Sequence, residues 1–192
     1  QTVGMLADFE DNYSEIQATF TEASDALGYD LWTLCQDGPA KQLSLTEITQ
    51  PLLLTAGVAL YRAWTVARGV SASFMAGHSL GEYTALTAAG SLPLADAVRL
   101  VRSRGQFMQE AVPKDVGAMA AVIGLDDATI ESVCAAVASE TGLVIEAVNY
   151  NAPGQLVIAG HARAIDASLP RLKEAGAKHA LPLPVSAPFH CA

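Results

Sequence analysis

A serine bracketed by glycines, Gly77-His78-Ser79-Leu80-Gly81, lies between a short apolar run and a run of small residues with helical spacing. This feature constrains the fold more than any other. A G-x-S-x-G in that setting predicts a strand-to-helix turn with the hydroxyl at its apex, and therefore a chain of the α/β type. Glycines on either side of the serine let neighbouring backbone approach closely. The Leu80 amide, at the helix start, is placed to donate to an oxyanion forming on an attacked acyl carbon. The plainer alternative is an N-cap serine on an ordinary buried turn.

Around this turn the pattern reads as helices first and a small mixed module afterwards. Ile16, Phe20, Ala23 and Leu27 form one stripe of a helix over 11–27, with Gly28 as its stop. Ser44-Leu45-Thr46-Glu47 reads as a capping box that opens a long apolar helix through Leu52, Val58 and Trp64. Residues 70–75 read as a short buried strand, 80–89 as a helix closed by Gly90, and 94–111 as a helix begun after Pro93. After Pro113 the order is strand (118–123), helix (126–139), two strands (143–149 and 155–159), helix (162–175) and strand (180–185). Asn151-Ala152-Pro153-Gly154 supplies turn chemistry between the paired strands. This is the βαββαβ, ferredoxin-like order. Two units follow: a helix-rich α/β part over 1–114 and the small module over 115–185.

Composition excludes several classes. Apolar residues are 51% of the 192 and charged residues only 16%, the reverse of what disorder requires. A formal charge of -9 argues against a general nucleic-acid partner. Three widely spaced cysteines, Cys35, Cys134 and Cys191, do not make a disulfide framework and suit a reducing, cytoplasmic setting. The uncharged run 48–61 is shorter than the ~20 residues needed to span a bilayer, so no membrane role is expected. The opening residues have no signal-peptide pattern.

A serine needs a base. His78 is beside Ser79 and its side chain diverges on a sharp turn, His161 and His179 read as surface residues, and His190 follows the stiff stretch Ser186-Ala187-Pro188-Phe189. His190 is the preferred base, although local sequence alone fits a satisfied core histidine equally well. Arg104 falls at the edge of the stripe made by Leu94, Ala97, Val98, Val101, Gly105 and Met108, with no carboxylate three or four residues away. A substrate carboxylate would supply its partner in a bidentate pair, and the alternative is a snorkelling side chain with its head in water. No metal-binding or nucleotide-cradling motif is present. Cys191 and His190 are expected on opposite faces of an extended chain, which argues against a Cys-His dyad.

The G-H-S-L-G-E-Y run at 77–83, the R-G-Q-F-M-Q run at 104–109, N-Y-N-A-P-G-Q at 149–155 and L-P-L-P-V-S-A-P-F-H-C at 181–191 together resemble the malonyl-CoA:acyl carrier protein transacylase family. The resemblance covers essentially every residue. It implies an α/β-hydrolase-like large subdomain that resumes near 186–192, with the ferredoxin-like module inserted. It implies acylation of Ser79 by malonyl-CoA, His190 as base, Leu80 in the oxyanion hole and Arg104 on the malonyl carboxylate. Gln50, His78, Asn149, Asn151 and Phe189 then line the substrate pocket, and Lys178 with His179 lies near the coenzyme A phosphates. No cofactor or metal is implied, and the partners are malonyl-CoA and acyl carrier protein, met by a cytoplasmic monomer.

Members of that family open with a G-Q-G-S-Q loop that gives a second oxyanion amide. They also continue about a hundred residues past the histidine, in keeping with ordinary domain sizes. The chain begins at the match to the loop's last glutamine, Gln1, so a piece of a longer domain is expected. A hydrolase of the thioesterase or lipase type shares the serine turn, and a catalytically dead interaction module is a third reading. An acidic carrier protein facing a charge of -9 also calls for a local basic patch, for which Arg99, Arg102, Arg171 and Lys173 are the candidates.

Overall fold

In a computed structural model of the chain, the stripe Ile16, Phe20, Ala23 and Leu27 is buried along α2 (Ser14–Leu27). Gly28 ends that helix at φ 77°, where a left-handed residue stops a helix and glycine does so without strain. The structure describes residues 1–192 apart from 69, 71, 114, 115, 184, 186 and 192, and the backbone alone at 68. Two units are formed, Gln1–Phe107 and Met108–Ala192.

In the first unit, α2 is preceded by a single turn, α1 (Ala7–Glu10), and followed by α3 (Leu31–Asp37) and α4 (Ala40–Leu43). The long α5 (Thr46–Arg68), α6 (Leu80–Ala88) and α7 (Leu94–Glu110) complete it, the end of α7 falling in the second unit. Phe20, Leu31, Leu52, Val58 and Val101 meet in one apolar core. Removing Phe20 to alanine there costs about 3–5 kcal/mol.

Two expectations fail in this unit. Ser44 does not open α5: it is the C-cap of α4 and its hydroxyl donates to the Ala40 carbonyl at 3.1 Å, so the short helix claims it first. Glu47, the other half of the expected box, accepts instead from Gln106 at 2.9 Å. The run 70–75 forms no strand where it is described (Ser71 lies outside), and Phe74 is 95% exposed. A strand exists through its neighbours; all strands among the described residues lie in the second unit, so this run has no ladder to join. The far end of α5 also departs from a buried helix, with Trp64 and Val66 exposed.

The second unit follows the expected element order. β1 (Gly117–Ile123), α8 (Asp127–Thr141), β2 (Ile145–Ala152), β3 (Gln155–His161), α9 (Ala162–Glu174) and β4 (His179–Pro182) form one antiparallel sheet ordered β2-β3-β1-β4. Strand alternation sends Leu156 and Ile158 of β3 into the core beneath the helices with Ile130 and Ile165. Val157 and Ala159 face the opposite side with Met119, where Val185, Phe189 and Cys191 cover them. β4 ends at Pro182; of the expected continuation to 185, Leu183 and Val185 are not in a strand and Pro184 lies outside the described residues.

Asp126 caps α8, accepting from the Thr129 hydroxyl at 2.7 Å and the Thr129 amide at 2.9 Å. These bonds hold its carboxyl below the usual range, the hydroxyl contributing most. With the folded value below the unfolded one, the stabilisation is present above the unfolded value and is lost as pH falls through the folded value. In a carboxyl NMR titration, Thr129→Val is expected to move the Asp126 midpoint up toward the ordinary carboxylate range. An unmoved midpoint would contradict the assigned cause.

No helix among the described residues is long and apolar enough to cross a membrane. Burial pushes the Cys35 and Cys134 thiols up to about 11, so neither is a thiolate at neutral pH.

Candidate active site

Ser79 stands at the head of α6 with φ 54° and ψ -110°. A non-glycine residue in that region is strained, by about 1–3 kcal/mol, and such strain persists only where the surroundings impose it. Two short backbone bonds close the turn, from Gly81 N to the His78 carbonyl at 2.9 Å and from Glu82 N to the Ser79 carbonyl at 3.3 Å. Ser79 does not cap α6 with its side chain, which sets aside the ordinary N-cap role. The Leu80 amide, first in the helix, has no backbone acceptor among the described residues, as expected of the orphan donors at a helix N-terminus.

The two glycines of the motif differ. A Cβ at Gly77 would lie 2.0 Å from the carbonyl carbon and oxygen of Gly81 and 2.5 Å from Glu82 N, whereas a Cβ at Gly81 meets nothing within 4 Å. Gly77 is the one that lets the chain fold back under the serine. Gly77→Ala is therefore expected to destabilise the first unit by about 3 kcal/mol, at the upper end of overpacking costs, and Gly81→Ala to be far milder. Denaturant unfolding of both variants checks this, and equal midpoints would contradict it.

Arg104 reaches the same serine from α7. Its Nη2 donates to Ser79 Oγ at 2.9 Å and its Nη1 to Gln50 Oε1 at 2.5 Å. Gln50 is 5% exposed. The approach depends on Gly105, where a Cβ would sit 2.7 Å from the Thr46 carbonyl oxygen and 2.8 Å from Glu47 Cα. With no side chain there, α7 lies against the first turn of α5 and brings Arg104 level with Gln50. The Gln106–Glu47 bond ties the same crossing. The guanidinium is thus turned to protein partners rather than left in water, which removes the snorkelling alternative. No carboxylate pairs with it among the described residues. Its Cζ lies 5.7 Å from the centroid of the half-buried Tyr83 ring.

Sequence reading missed Tyr83 and Gly105 as contributors. Each had a signal: Tyr83 is four residues on from Ser79, in the first turn of the helix that Ser79 heads, and Gly105 directly follows the arginine inside a buried stripe.

His78 is exposed and contributes its carbonyl to the serine turn. The remaining predicted site residues belong to the second unit. His190 is exposed in a turn at φ 63°, so the extended approach expected for it does not occur. The stretch before it is held: Ala187 is buried, and a Cβ at Gly117 would lie 2.2 Å from Pro188 Cδ. Phe189 and Cys191 pack on the second apolar cluster, and Cys191 Sγ donates to the Ala159 carbonyl at 3.6 Å. Asn149 follows a register shift in β2, with its Oδ1 buried and unpartnered among the described residues, while Asn151 is exposed. Lys178 and His179 are exposed at the start of β4. His161, by contrast, accepts from Val144 N at 3.2 Å through Nδ1 and serves the local fold.

Three of the four proposed basic-patch residues are engaged internally. Arg171 pairs with Glu140, Arg99 donates to the Ala26 carbonyl, and Arg102 donates to the Leu27 carbonyl with its Cζ over the Tyr29 ring. Among the described residues no group of three or more His, Cys, Asp or Glu is placed to hold a metal ion. What the first unit presents is a serine with a strained backbone under a guanidinium that has no counter-charge among the described residues, a geometry suited to an acyl group carrying its own carboxylate.

The acyl transferase domain family matches residues 6–191. The chain is 60% identical over its whole length to the malonyl CoA-acyl carrier protein transacylase of Escherichia coli K12 and spans 62% of that protein. It is 43% identical over 190 residues to the enzyme of the same name from Bacillus subtilis, covering 99% of the chain and 59% of the relative. Among solved structures, an acyl carrier protein S-malonyltransferase from Vibrio cholerae matches with TM-score 0.91 at 52% identity, covering 98% of this chain and 61% of the other. A malonyl-transacylase in complex with a type II PKS acyl-carrier protein matches with TM-score 0.96 at 52% identity, covering all of this chain and 62% of the other.

Proposed function

Because the chain belongs to the acyl transferase domain family, we propose that it moves a malonyl group from coenzyme A to the phosphopantetheine thiol of acyl carrier protein, in fatty-acid synthesis, through a malonyl ester on Ser79. The observation that carries this reading is the 2.9 Å contact from Arg104 Nη2 to Ser79 Oγ by a guanidinium that no carboxylate pairs with among the described residues.

On binding, the malonyl carboxylate takes the Arg104 donors and releases the Ser79 hydroxyl. His190 accepts the hydroxyl proton as Oγ attacks the thioester carbonyl. The Leu80 amide stabilises the oxyanion at the head of α6. The C–S bond breaks, coenzyme A leaves as the thiol with the proton His190 held, and the carrier-protein thiol then reverses these steps. Gln50 anchors Arg104; His78, Asn149, Asn151 and Phe189 line the acyl pocket; Lys178 and His179 face the coenzyme A phosphates. The reaction needs no cofactor, and malonyl-CoA enters as substrate to a monomeric, cytoplasmic enzyme. In the same proposal residues 1–114 belong to an α/β-hydrolase-like subdomain resuming near 186–192, and 115–185 form a ferredoxin-like one.

The test is the fate of the acyl group. The intact protein, given malonyl-CoA and a pantetheine thiol, is expected to pass malonyl to the thiol. Release chiefly to water would instead indicate a hydrolase built on the same serine turn.

A further inference from the structure

We propose that Tyr83 is a positioning residue for acyl selectivity, its ring holding the Arg104 guanidinium in place while leaving its charge to the substrate. The proposal rests on Arg104 being the carboxylate clamp. The two hydrogen bonds that fix Arg104 in the free protein go to Gln50 and to the serine itself. The second of these must be given up when the hydroxyl attacks, and a substrate carboxylate competes for the same Nη donors.

The Tyr83 contact is of another kind. An aromatic face within about 6 Å attracts a guanidinium without using its N–H groups, and here the separation is 5.7 Å. This contact therefore persists while the hydrogen bonds are exchanged. An acidic side chain in the same place would hold Arg104 as well but would neutralise it, whereas a ring leaves the cation available to bind a carboxylate. Glu82, the adjacent acid, is exposed and makes no ion pair with Arg104 among the described residues.

Tyr83 is itself well fixed. It is half-buried against the core of the first unit, and its carbonyl accepts from the Thr87 hydroxyl at 2.8 Å one turn further along α6.

The test compares Tyr83→Phe, Tyr83→Leu and Tyr83→Met in the intact protein, with kcat and KM measured separately for malonyl-CoA and acetyl-CoA. Phe keeps the aromatic face and is expected to stay within about twofold of the parent. Leu and Met are expected to lose about five- to tenfold of the malonyl preference, the range of an exposed to partly desolvated cation–π contact. The loss should appear in the malonyl KM, with acetyl transfer retained. Unchanged preference in whichever aliphatic variant folds, or a Phe variant as impaired as the aliphatic ones, would overturn the proposal. Arg104→Ala run alongside separates the two levels. If that variant keeps the malonyl preference, the clamp itself is wrong and this proposal falls with it. If it loses the preference while Tyr83→Leu and Tyr83→Met do not, only the role of Tyr83 is refuted.

Discussion

Arg104→Ala is expected to lower kcat/KM for malonyl-CoA by about two to three orders of magnitude, while acetyl-CoA turnover changes by less than about threefold. The asymmetry follows from what the guanidinium touches. Among the described residues Arg104 donates to two neutral groups, Gln50 and Ser79, and no carboxylate competes for it. A malonyl carboxylate would gain two charge-assisted bonds, each worth about 1.5–3 kcal/mol. Acetyl has nothing to offer those donors and leaves the charge unmatched, which is how a polar site rejects a substrate lacking the polar group. Removing the side chain abolishes the discrimination rather than the chemistry. Arg104→Lys should not restore it fully, because a single ammonium cannot span both partners as the fork does. Steady-state kinetics with the two thioesters checks this, and a malonyl preference surviving in Arg104→Ala would contradict the clamp.

The second large effect is at His190. His190→Ala is expected to slow both acylation by malonyl-CoA and transfer to the carrier thiol by about 10²–10⁴-fold, the usual worth of a positioned general base. Both half-reactions should fall together because, in the proposed mechanism, the same imidazole takes the attacking group's proton and gives it to the leaving group in each of them. KM for malonyl-CoA should hardly move, since the proposal has the carboxylate held at Arg104 and not at His190. Rapid-quench measurement of the two half-reactions makes the comparison, and loss of only one would remove His190 from the base role. His190 lies at φ 63° in a turn, two residues after Pro188, which packs against Gly117.

The helices and the small sheet were legible because their apolar periodicities are local. Ile16, Phe20, Ala23 and Leu27 repeat with helical spacing and are all buried, and the turn residues around Gly154 mark the β2–β3 hairpin. What failed was whatever depends on a distant neighbour. The run 70–75 has strand composition, but a strand needs a partner and none of the described residues provides one. Ser44 has the spacing of a capping box, but the preceding α4 uses its hydroxyl.

The site divides in the same way. Ser79 could be found from its glycines, though not its φ of 54°. For Arg104, sequence offered the absence of an acid on its own helix. Its actual partners are Gln50 of α5, reached because residue 105 has no side chain, and Ser79 at the head of α6. Tyr83 was in view within the motif and acquires meaning only from the Arg104 guanidinium lying over its ring.

The most direct test is the intact mass of the protein after brief exposure to an equimolar mixture of malonyl-CoA and acetyl-CoA, with Ser79→Ala as control. A single malonyl adduct on the parent protein and none on Ser79→Ala is the expected result. Equal malonyl and acetyl adducts, or an adduct that persists in Ser79→Ala, would contradict a serine nucleophile selected for by the arginine beside it.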